Sequence, residues 1–238
     1  MREHQLLPGP VGLIETVIET PEGSPTGLAL IAHPHPLHGG TMDNKVVTTL
    51  ARAALAAGLV AVRSNFRGVG QSAGVHDHGL GECDDLSALT QIIGERYPNL
   101  DWTLLGFSFG AFVQQQLSLR LPVGQRLRQV ILVAPAVTLR PFGAINGPAT
   151  LIQGDQDEII PLAAVRNYAQ AHELNLVIVP EAGHFFHGKL LDLRAQVSAL
   201  LAANLADVGR ESLPADPKGC RHGNADLQQG KAQSANLG

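Results

Sequence analysis

The chain has 238 residues, of which 45% are hydrophobic and 16% charged, and its formal net charge of −4 offers no basic face for a nucleic acid. This length suits one domain with a sizeable core, no apolar run is long enough to span a membrane, and the N-terminus lacks the apolar stretch of a signal peptide. Two cysteines, Cys83 and Cys220, are too few for a disulfide framework, so we expect a reduced, cytoplasmic protein without a nucleic-acid or membrane partner.

The body of the chain alternates between strand-like and helix-like segments. It begins with residues 11–23, which predict an antiparallel strand or hairpin at a sheet edge. Short runs rich in Val, Ile and Leu, typical of strands buried on both faces, then follow at 27–33, 58–66, 101–107, 129–135, 148–154 and 174–180. The predicted helices are 44–57, 82–96, 110–119, 161–172 and 188–205. This alternation predicts an α/β fold, a doubly wound and mostly parallel sheet with helices on both faces.

The predicted domain ends before the last part of the chain. Residues 207–238 are polar, with scattered Gly and Pro and no periodicity, so we predict one α/β domain over residues 1–206 and a disordered tail over 207–238. Inside the domain, the predicted strands 129–135 and 148–154 are separated only by residues 136–147. A link of this length is too short to form a cap domain, so none is predicted.

A serine lies where one predicted strand passes directly into a helix, in the sequence GFSFG at 106–110. Such a turn holds Ser108 in a strained conformation and brings the residues two before and two after it close together, which accounts for Gly106 and Gly110. It lifts the serine Oγ above the sheet edge and puts the N–H of Phe109 at the start of a helix. The pattern predicts the nucleophile elbow of a hydrolase, and its alternative is a chance match in a helix-capping turn.

A serine hydroxyl needs a base within hydrogen-bond reach and an acid that orients the base. The candidate acids, Asp155, Asp157 and Glu158, follow one predicted strand, and the candidate bases, His184 and His187, follow the next. The carboxyl ends of parallel strands meet at one edge of a sheet, and the order serine, acid, histidine fits this type of hydrolase. His184 is preferred because it lies where the loop starts, and His187 is expected to be a partly buried residue at a helix start or in the wall of the site.

The second donor of an oxyanion hole is expected after the first parallel strand, in the stretch HPHPLHGGTMDNK. Pro34 and Pro36 have no N–H and cannot donate. The predicted oxyanion hole therefore consists of the N–H groups of Leu37 and Phe109, with His38 as the alternative to Leu37.

Histidine-rich stretches at 33–38 and 76–78 raise the question of a metal site. The first lies on an extended segment with no acidic or cysteine ligand spaced beside it, so no metal is predicted. The glycines of GVGQSAG do not fit a dinucleotide-binding loop, and no cofactor is predicted. The roles of His35 and His38 stay open, and Arg67 could either face the site or form an ion pair at the surface.

Five motifs in order carry a resemblance to a known family: HPHPLHGGTMDNKVV, NFRGVGQSAG, GFSFGA, GDQDEIIP and GHFFHGKL. Over roughly residues 10–205 the sequence resembles a bacterial subgroup of the α/β-hydrolase superfamily, near the dienelactone hydrolases and small esterase-like proteins of unassigned substrate. The resemblance implies a lidless core and a triad of Ser108, Asp157 and His184, and it favours Asp157 over Asp155.

Two positions depart from that resemblance. Dienelactone hydrolases carry a cysteine nucleophile where this chain has Ser108, so their substrate is not carried over, and Asn65 stands where many hydrolases have an aspartate. The sequence predicts a serine hydrolase that cleaves a small-molecule carboxylic ester or thioester through an acyl-enzyme. The alternative is a non-catalytic scaffold of this fold that binds a ligand or a protein partner. Neither the physiological substrate nor the oligomeric state follows from the sequence.

Overall fold

The computed structural model describes the backbone of residues 1–211 and the side chains of residues 1–203. Of the predicted tail at 207–238, residues 207–211 continue the last helix, and the rest lies outside the described residues. Within residues 1–211, no helix combines the length and the apolar character that crossing a membrane requires.

Eight strands form one sheet in the part of the chain that the structure describes, in the order β1-β2-β4-β3-β5-β6-β7-β8. The strands are β1 (Arg2–Gly9), β2 (Gly12–Glu19), β3 (Gly27–Ala32), β4 (Leu59–Ser64), β5 (Trp102–Phe107), β6 (Leu127–Val133), β7 (Ala149–Gly154) and β8 (Asn175–Val179). β2 pairs antiparallel with β1 and β4, and all other pairs are parallel. The predicted mostly parallel sheet is confirmed, and the edge hairpin includes β1, which the sequence does not predict.

Helices cover both faces of the sheet. They are α1 (Lys45–Ala56), α2 (Leu80–Arg96), α3 (Phe109–Ser118), α4 (Leu162–Ala171) and α5 (Leu190–Glu211). Apolar side chains of α1 and α5 share one buried cluster, and those of α2, α3 and α4 share the other. The doubly wound arrangement predicted from the alternation of segments is therefore present.

The central strand β5 shows why the sequences of the buried strands are nearly continuous apolar runs. All its residues are buried, with Trp102 and Leu104 in the cluster under α2, α3 and α4, and Leu105 and Phe107 in the cluster under α1 and α5. Successive side chains of a strand point to opposite faces, so a strand covered on both sides is apolar at most positions, as β5 is apart from Thr103. Because β3 to β8 run parallel, their carboxyl ends share one edge, and the loops that carry the candidate site begin there.

The connection from β6 to β7, residues 134–148, contains no helix and no strand. It adds no cap domain over the carboxyl edge of the sheet, as the sequence predicts. The residues that line the cleft above that edge come from loops, from the 3₁₀ helix Pro36–His38 and from the start of α3.

Buried polar contacts fix the loop after β4. The Asn65 side chain accepts a hydrogen bond from the N–H of Met42 at 2.9 Å and donates one to Glu15 at 2.8 Å. Arg67 forms a bidentate ion pair with Asp85, both N···O distances being 2.8 Å, and only 9% and 4% of the two side chains are exposed. Both expectations for Arg67 are wrong, because it neither enters the site nor lies at the surface but ties this loop to α2.

Candidate active site

Ser108 occupies the sharp turn between β5 and α3. Its φ of 55° and ψ of −113° are strained for a residue with a side chain. A Cβ on Gly106 would lie 2.5 Å from the carbonyl oxygen of Gly110, and a Cβ on Gly110 would overlap the backbone of Ala32 and His33. Only glycine fits at both positions, which is the close approach that the spacing in the sequence predicts.

The structure brings the three predicted triad residues into one hydrogen-bonded chain. His184 Nε2 lies 3.0 Å from Ser108 Oγ, and His184 Nδ1 lies 2.8 Å from Asp157 Oδ2. They follow β5, β7 and β8, so three separate strands deliver them to the same edge of the sheet. The exposed fractions are 9% for Ser108, 8% for Asp157 and 2% for His184, so water reaches little more than the hydroxyl. This arrangement can move a proton from the serine to the imidazole.

The Asp157 carboxylate is held as an anion by its neighbours. Oδ1 accepts the N–H groups of Ile159 and Ile160 at 2.9 and 2.7 Å, and Oδ2 accepts from Gln153 Nε2 at 2.8 Å as well as from His184. Burial raises the pKa of Asp157, but the hydrogen bonds from His184, Ile160 and Ile159 outweigh it and leave the pKa below its ordinary value. An ionised acceptor at Nδ1 keeps the imidazole proton there and leaves Nε2 free to accept.

The alternative acids and base lie elsewhere. Asp155 Oδ1 accepts the N–H of Glu181 at 2.6 Å, which joins the loops after β7 and β8. Glu158 accepts the backbone N–H of His184 at 3.3 Å and does not contact the imidazole through a hydrogen bond. His187 is exposed, with its ring centroid 5.9 Å from that of Phe185, so the expectation of a partly buried residue is wrong.

In the stretch after β3, both N–H groups that the sequence offers as oxyanion donors have acceptors within the stretch itself. The 3₁₀ helix Pro36–His38 turns its amides back, so that Leu37 N–H points to His35 Nδ1 at 3.3 Å and His38 N–H to the carbonyl of His35 at 3.1 Å. The Leu37 side chain is 69% exposed and faces away from the cleft, so the structure brings neither Leu37 nor His38 N–H to Ser108. The N–H of His35 has no acceptor among residues 1–211.

Ser108 opens into a cleft of about 240 Å³ with mostly apolar walls. Pro34 and His35 lie on one side, and Ile159 and Phe185, which are 41% and 38% exposed, form part of the rim. Phe109 N–H begins α3, where an amide has no acceptor within the helix. Phe109 N–H and His35 N–H are thus backbone donors without an acceptor among the described residues, and both residues line the cleft with Ser108.

His33 lies under this loop and has a structural role. The buried ring donates from Nδ1 to the carbonyl of Pro34 at 2.7 Å and accepts at Nε2 from the N–H of Phe66 at 2.9 Å, so both ring nitrogens are used in the neutral form. Burial lowers the pKa of His33 from 6.5 to about 4. Among the described residues, no group of three or more His, Cys, Asp or Glu side chains is arranged to hold a metal ion.

This ring makes stability depend on pH. Below pH 6.5 the unfolded chain protonates His33, whereas the folded chain keeps it neutral down to about pH 4, so stability falls as the pH falls through this window. Between pH 7 and pH 5 we expect His33 alone to lower the free energy of unfolding by about 2 kcal/mol. Urea denaturation of the wild type and His33→Gln at both pH values measures the difference. Equal losses in the two proteins would contradict the assignment, because every other titrating group is common to both.

Comparisons with known proteins match the chain to a family profile and to a bacterial relative. A sequence profile of the family described as serine aminopeptidase, S33, matches residues 32–144, which include Ser108 and end before Asp157. An uncharacterized protein of Rickettsia prowazekii is 34% identical over 195 residues, which are 76% of this chain and 81% of that protein.

Two solved structures resemble the whole domain. An α/β serine hydrolase homologue from Coxiella burnetii is 41% identical, with a TM-score of 0.78 over 84% of this chain and 97% of that one. An α/β serine hydrolase without a lid from Xanthomonas campestris is 37% identical, with a TM-score of 0.78 over 91% of this chain and 97% of that one. The chain therefore belongs to the α/β-hydrolase superfamily.

Proposed function

We propose that this protein is a serine hydrolase that cleaves a carboxylic ester or thioester of a small molecule. The observation that carries the proposal is the continuous chain from Ser108 Oγ through His184 to Asp157, with links of 3.0 and 2.8 Å, at the floor of an open cleft. A scaffold without catalysis has no need for a strained serine joined to a buried imidazole and carboxylate.

In the proposed reaction, Ser108 Oγ attacks the substrate carbonyl while His184 Nε2 takes its proton. The tetrahedral oxyanion accepts hydrogen bonds from the N–H groups of Phe109 and His35, two donors without an acceptor among the described residues on residues that line the cleft. The imidazolium then gives its proton to the departing alcohol or thiol, which leaves an acyl group on Ser108. Water, deprotonated by His184, attacks this acyl-enzyme and releases the carboxylic acid, and Asp157 holds the imidazole orientation throughout.

The profile described as serine aminopeptidase makes a peptidase the second candidate. An aminopeptidase must bind the free ammonium group of its substrate, for which a carboxylate is the natural partner. The described residues that line the cleft include no Asp or Glu, and the charged side chain among them is Arg140. A cation repels an ammonium group, so the site favours an ester or thioester over a peptide N-terminus.

We expect short acyl chains to react at least as well as long ones. Without a cap, the cleft buries little of a long chain, and each CH₂ left in water forgoes about 0.8 kcal/mol of binding. The measurement is kcat/KM for p-nitrophenyl acetate, butyrate and laurate below their aggregation limits, with matched acyl thioesters, and with labelling by a fluorophosphonate as the test for an active serine. No labelling and no turnover would favour the non-catalytic scaffold, and a steep rise toward laurate would indicate an acyl pocket.

A further inference from the structure

The cleft carries one cation that has no anionic partner. Arg140 lies on the connection between β6 and β7, lines the cleft with Ser108 and is partly buried. Its Nη2 lies 2.8 Å from His35 Nε2, and no carboxylate among the described residues forms an ion pair with it. Its guanidinium carbon also lies 5.2 Å from the centroid of the Phe109 ring. A neutral imidazole and an aromatic face are thus its neighbours.

Among the described side chains, every other arginine that is not exposed has a carboxylate partner. Arg63 has a carboxylate partner at 3.0 Å, Arg67 at 2.8 Å and Arg128 at 3.5 Å. A partly buried guanidinium without an anion gives up hydration and gains no charge pairing, so the pattern at the three other positions is the expected one. Arg140 departs from that pattern at the one place where a substrate enters.

His35 cannot satisfy both of the donors that face it. Arg140 points an N–H at Nε2 at 2.8 Å, and Leu37 points its backbone N–H at Nδ1 at 3.3 Å. Burial, with the neighbouring His76, His38 and Arg140, lowers the pKa of His35 to about 4, so the ring is neutral at pH 7. A neutral imidazole has one acceptor nitrogen and one N–H. The ring can therefore accept a hydrogen bond from only one of the two donors.

An anion beside Arg140 removes this conflict. A carboxylate accepts from the guanidinium in its preferred bidentate geometry, which frees His35 Nε2. The ring can then carry its proton on Nε2, donate it to the second face of the same carboxylate, and accept from Leu37 at Nδ1. Each donor of Arg140, His35 and Leu37 in this group then has an acceptor, which the neutral ring alone does not provide.

The position of the cation places the anion on the acyl part of the substrate. Arg140 contacts His35 and Phe109, whose N–H groups are the proposed oxyanion donors. His184, which gives its proton to the leaving group, has its ring contacts with Phe107 and Phe185 instead. The acyl chain and the leaving group extend in different directions from the carbonyl carbon, and the contacts of the guanidinium are with the two residues that carry the proposed oxyanion donors and not with the imidazole of His184.

We propose that Arg140 binds a carboxylate at the far end of the acyl group, so that the substrates are half-esters or half-thioesters of small dicarboxylic acids. This inference rests on the proposed function. The reaction consumes one water and yields the dicarboxylate and the alcohol or thiol, with the acyl group carried on Ser108 in between.

The test compares monomethyl glutarate with methyl valerate, which have acyl chains of the same length with and without the terminal carboxylate. We expect the wild type to favour monomethyl glutarate at least about tenfold in kcat/KM, measured as methanol release, which corresponds to about 1.4 kcal/mol. Arg140→Gln should bring this ratio to one or below, and Arg140→Lys should retain part of it. Arg166→Gln, which removes the same charge from an exposed position on α4, should leave the ratio unchanged.

Three results would overturn the inference. The first is a ratio near one in the wild type, and the second is a high ratio that survives Arg140→Gln. The third is a preference for O-acetylglycolate over ethyl acetate without one for monomethyl glutarate, which would put the anion on the leaving group.

A binding measurement distinguishes a failure of this inference from a failure of the proposed function. Calorimetry with glutarate should show binding to Ser108→Ala and its loss in Ser108→Ala/Arg140→Gln, with melting temperatures confirming that both variants are folded. If neither ester reacts but glutarate binding depends on Arg140, the anion site stands and the hydrolase proposal fails. If methyl valerate reacts and glutarate does not bind, the hydrolase proposal stands and the anion site fails.

Discussion

Replacing Ser108 by alanine is expected to lower kcat by a factor of about 10⁴ or more. The substitution removes the one atom that forms the acyl-enzyme and leaves His184 without a proton to accept. It should leave the fold intact, because Ser108 Oγ has His184 as its hydrogen-bond partner and alanine adopts the same backbone conformation at the same strain. The measurement is kcat on a short acyl ester with the melting temperature of both proteins.

A buried serine outside the site provides the matched control. Ser64 lies at the end of β4, is 1% exposed and has an Oγ without a hydrogen-bond partner among the described residues. Ser64→Ala should retain turnover and fluorophosphonate labelling, whereas Ser108→Ala should lose both. Near-normal turnover of folded Ser108→Ala, or labelling at another serine, would rule out Ser108 as the nucleophile.

The extent to which the fold follows from the sequence depends on burial. Strands covered on both faces, such as β5, are apolar at nearly every position, Thr103 being the exception in β5, and can be located from composition alone. The edge strand β1 alternates between exposed and half-buried residues, and its sequence REHQLLPG has no apolar run that marks it. Its position depends on the long antiparallel pairing with β2, an interaction that a local pattern does not show.

The candidate site likewise contains some residues that a local sequence pattern reveals and others that it does not. Ser108 and its two glycines are fixed by local geometry, so a strand, a small residue and a helix start are enough to find them. The proposed oxyanion donor on the loop after β3 does not follow from such a local pattern. The prolines at 34 and 36 can be excluded from the sequence, but only the 3₁₀ turn in the structure shows that Leu37 N–H points to His35 Nδ1. Arg140 belongs to no motif. Its proposed role in binding a carboxylate is argued from the absence of a carboxylate partner among the described residues, and no sequence pattern reveals that absence.

Asp157→Asn is expected to lower kcat by about 10³ to 10⁴ with little change in the fold. The N–H groups of Ile159 and Ile160 require an oxygen at the Oδ1 position, so the new amide must place its NH₂ where Oδ2 was. An NH₂ there points a donor at His184 Nδ1, which accepts only if the imidazole proton moves to Nε2. An imidazole protonated at Nε2 faces Ser108 with a donor and cannot take the serine proton.

Asp155→Asn is the matched control for this prediction. Asp155 lies two residues earlier in the same loop, and its side chain accepts from the N–H of Glu181, a contact that an asparagine oxygen can also make. We expect kcat of Asp155→Asn to stay within a few-fold of the wild type, because nothing in that contact reaches His184. Kinetics of both variants on one ester at one pH give the comparison. A larger loss in Asp155→Asn than in Asp157→Asn would transfer the orienting role to Asp155, whereas equal small losses would show that His184 keeps its productive tautomer without an acid.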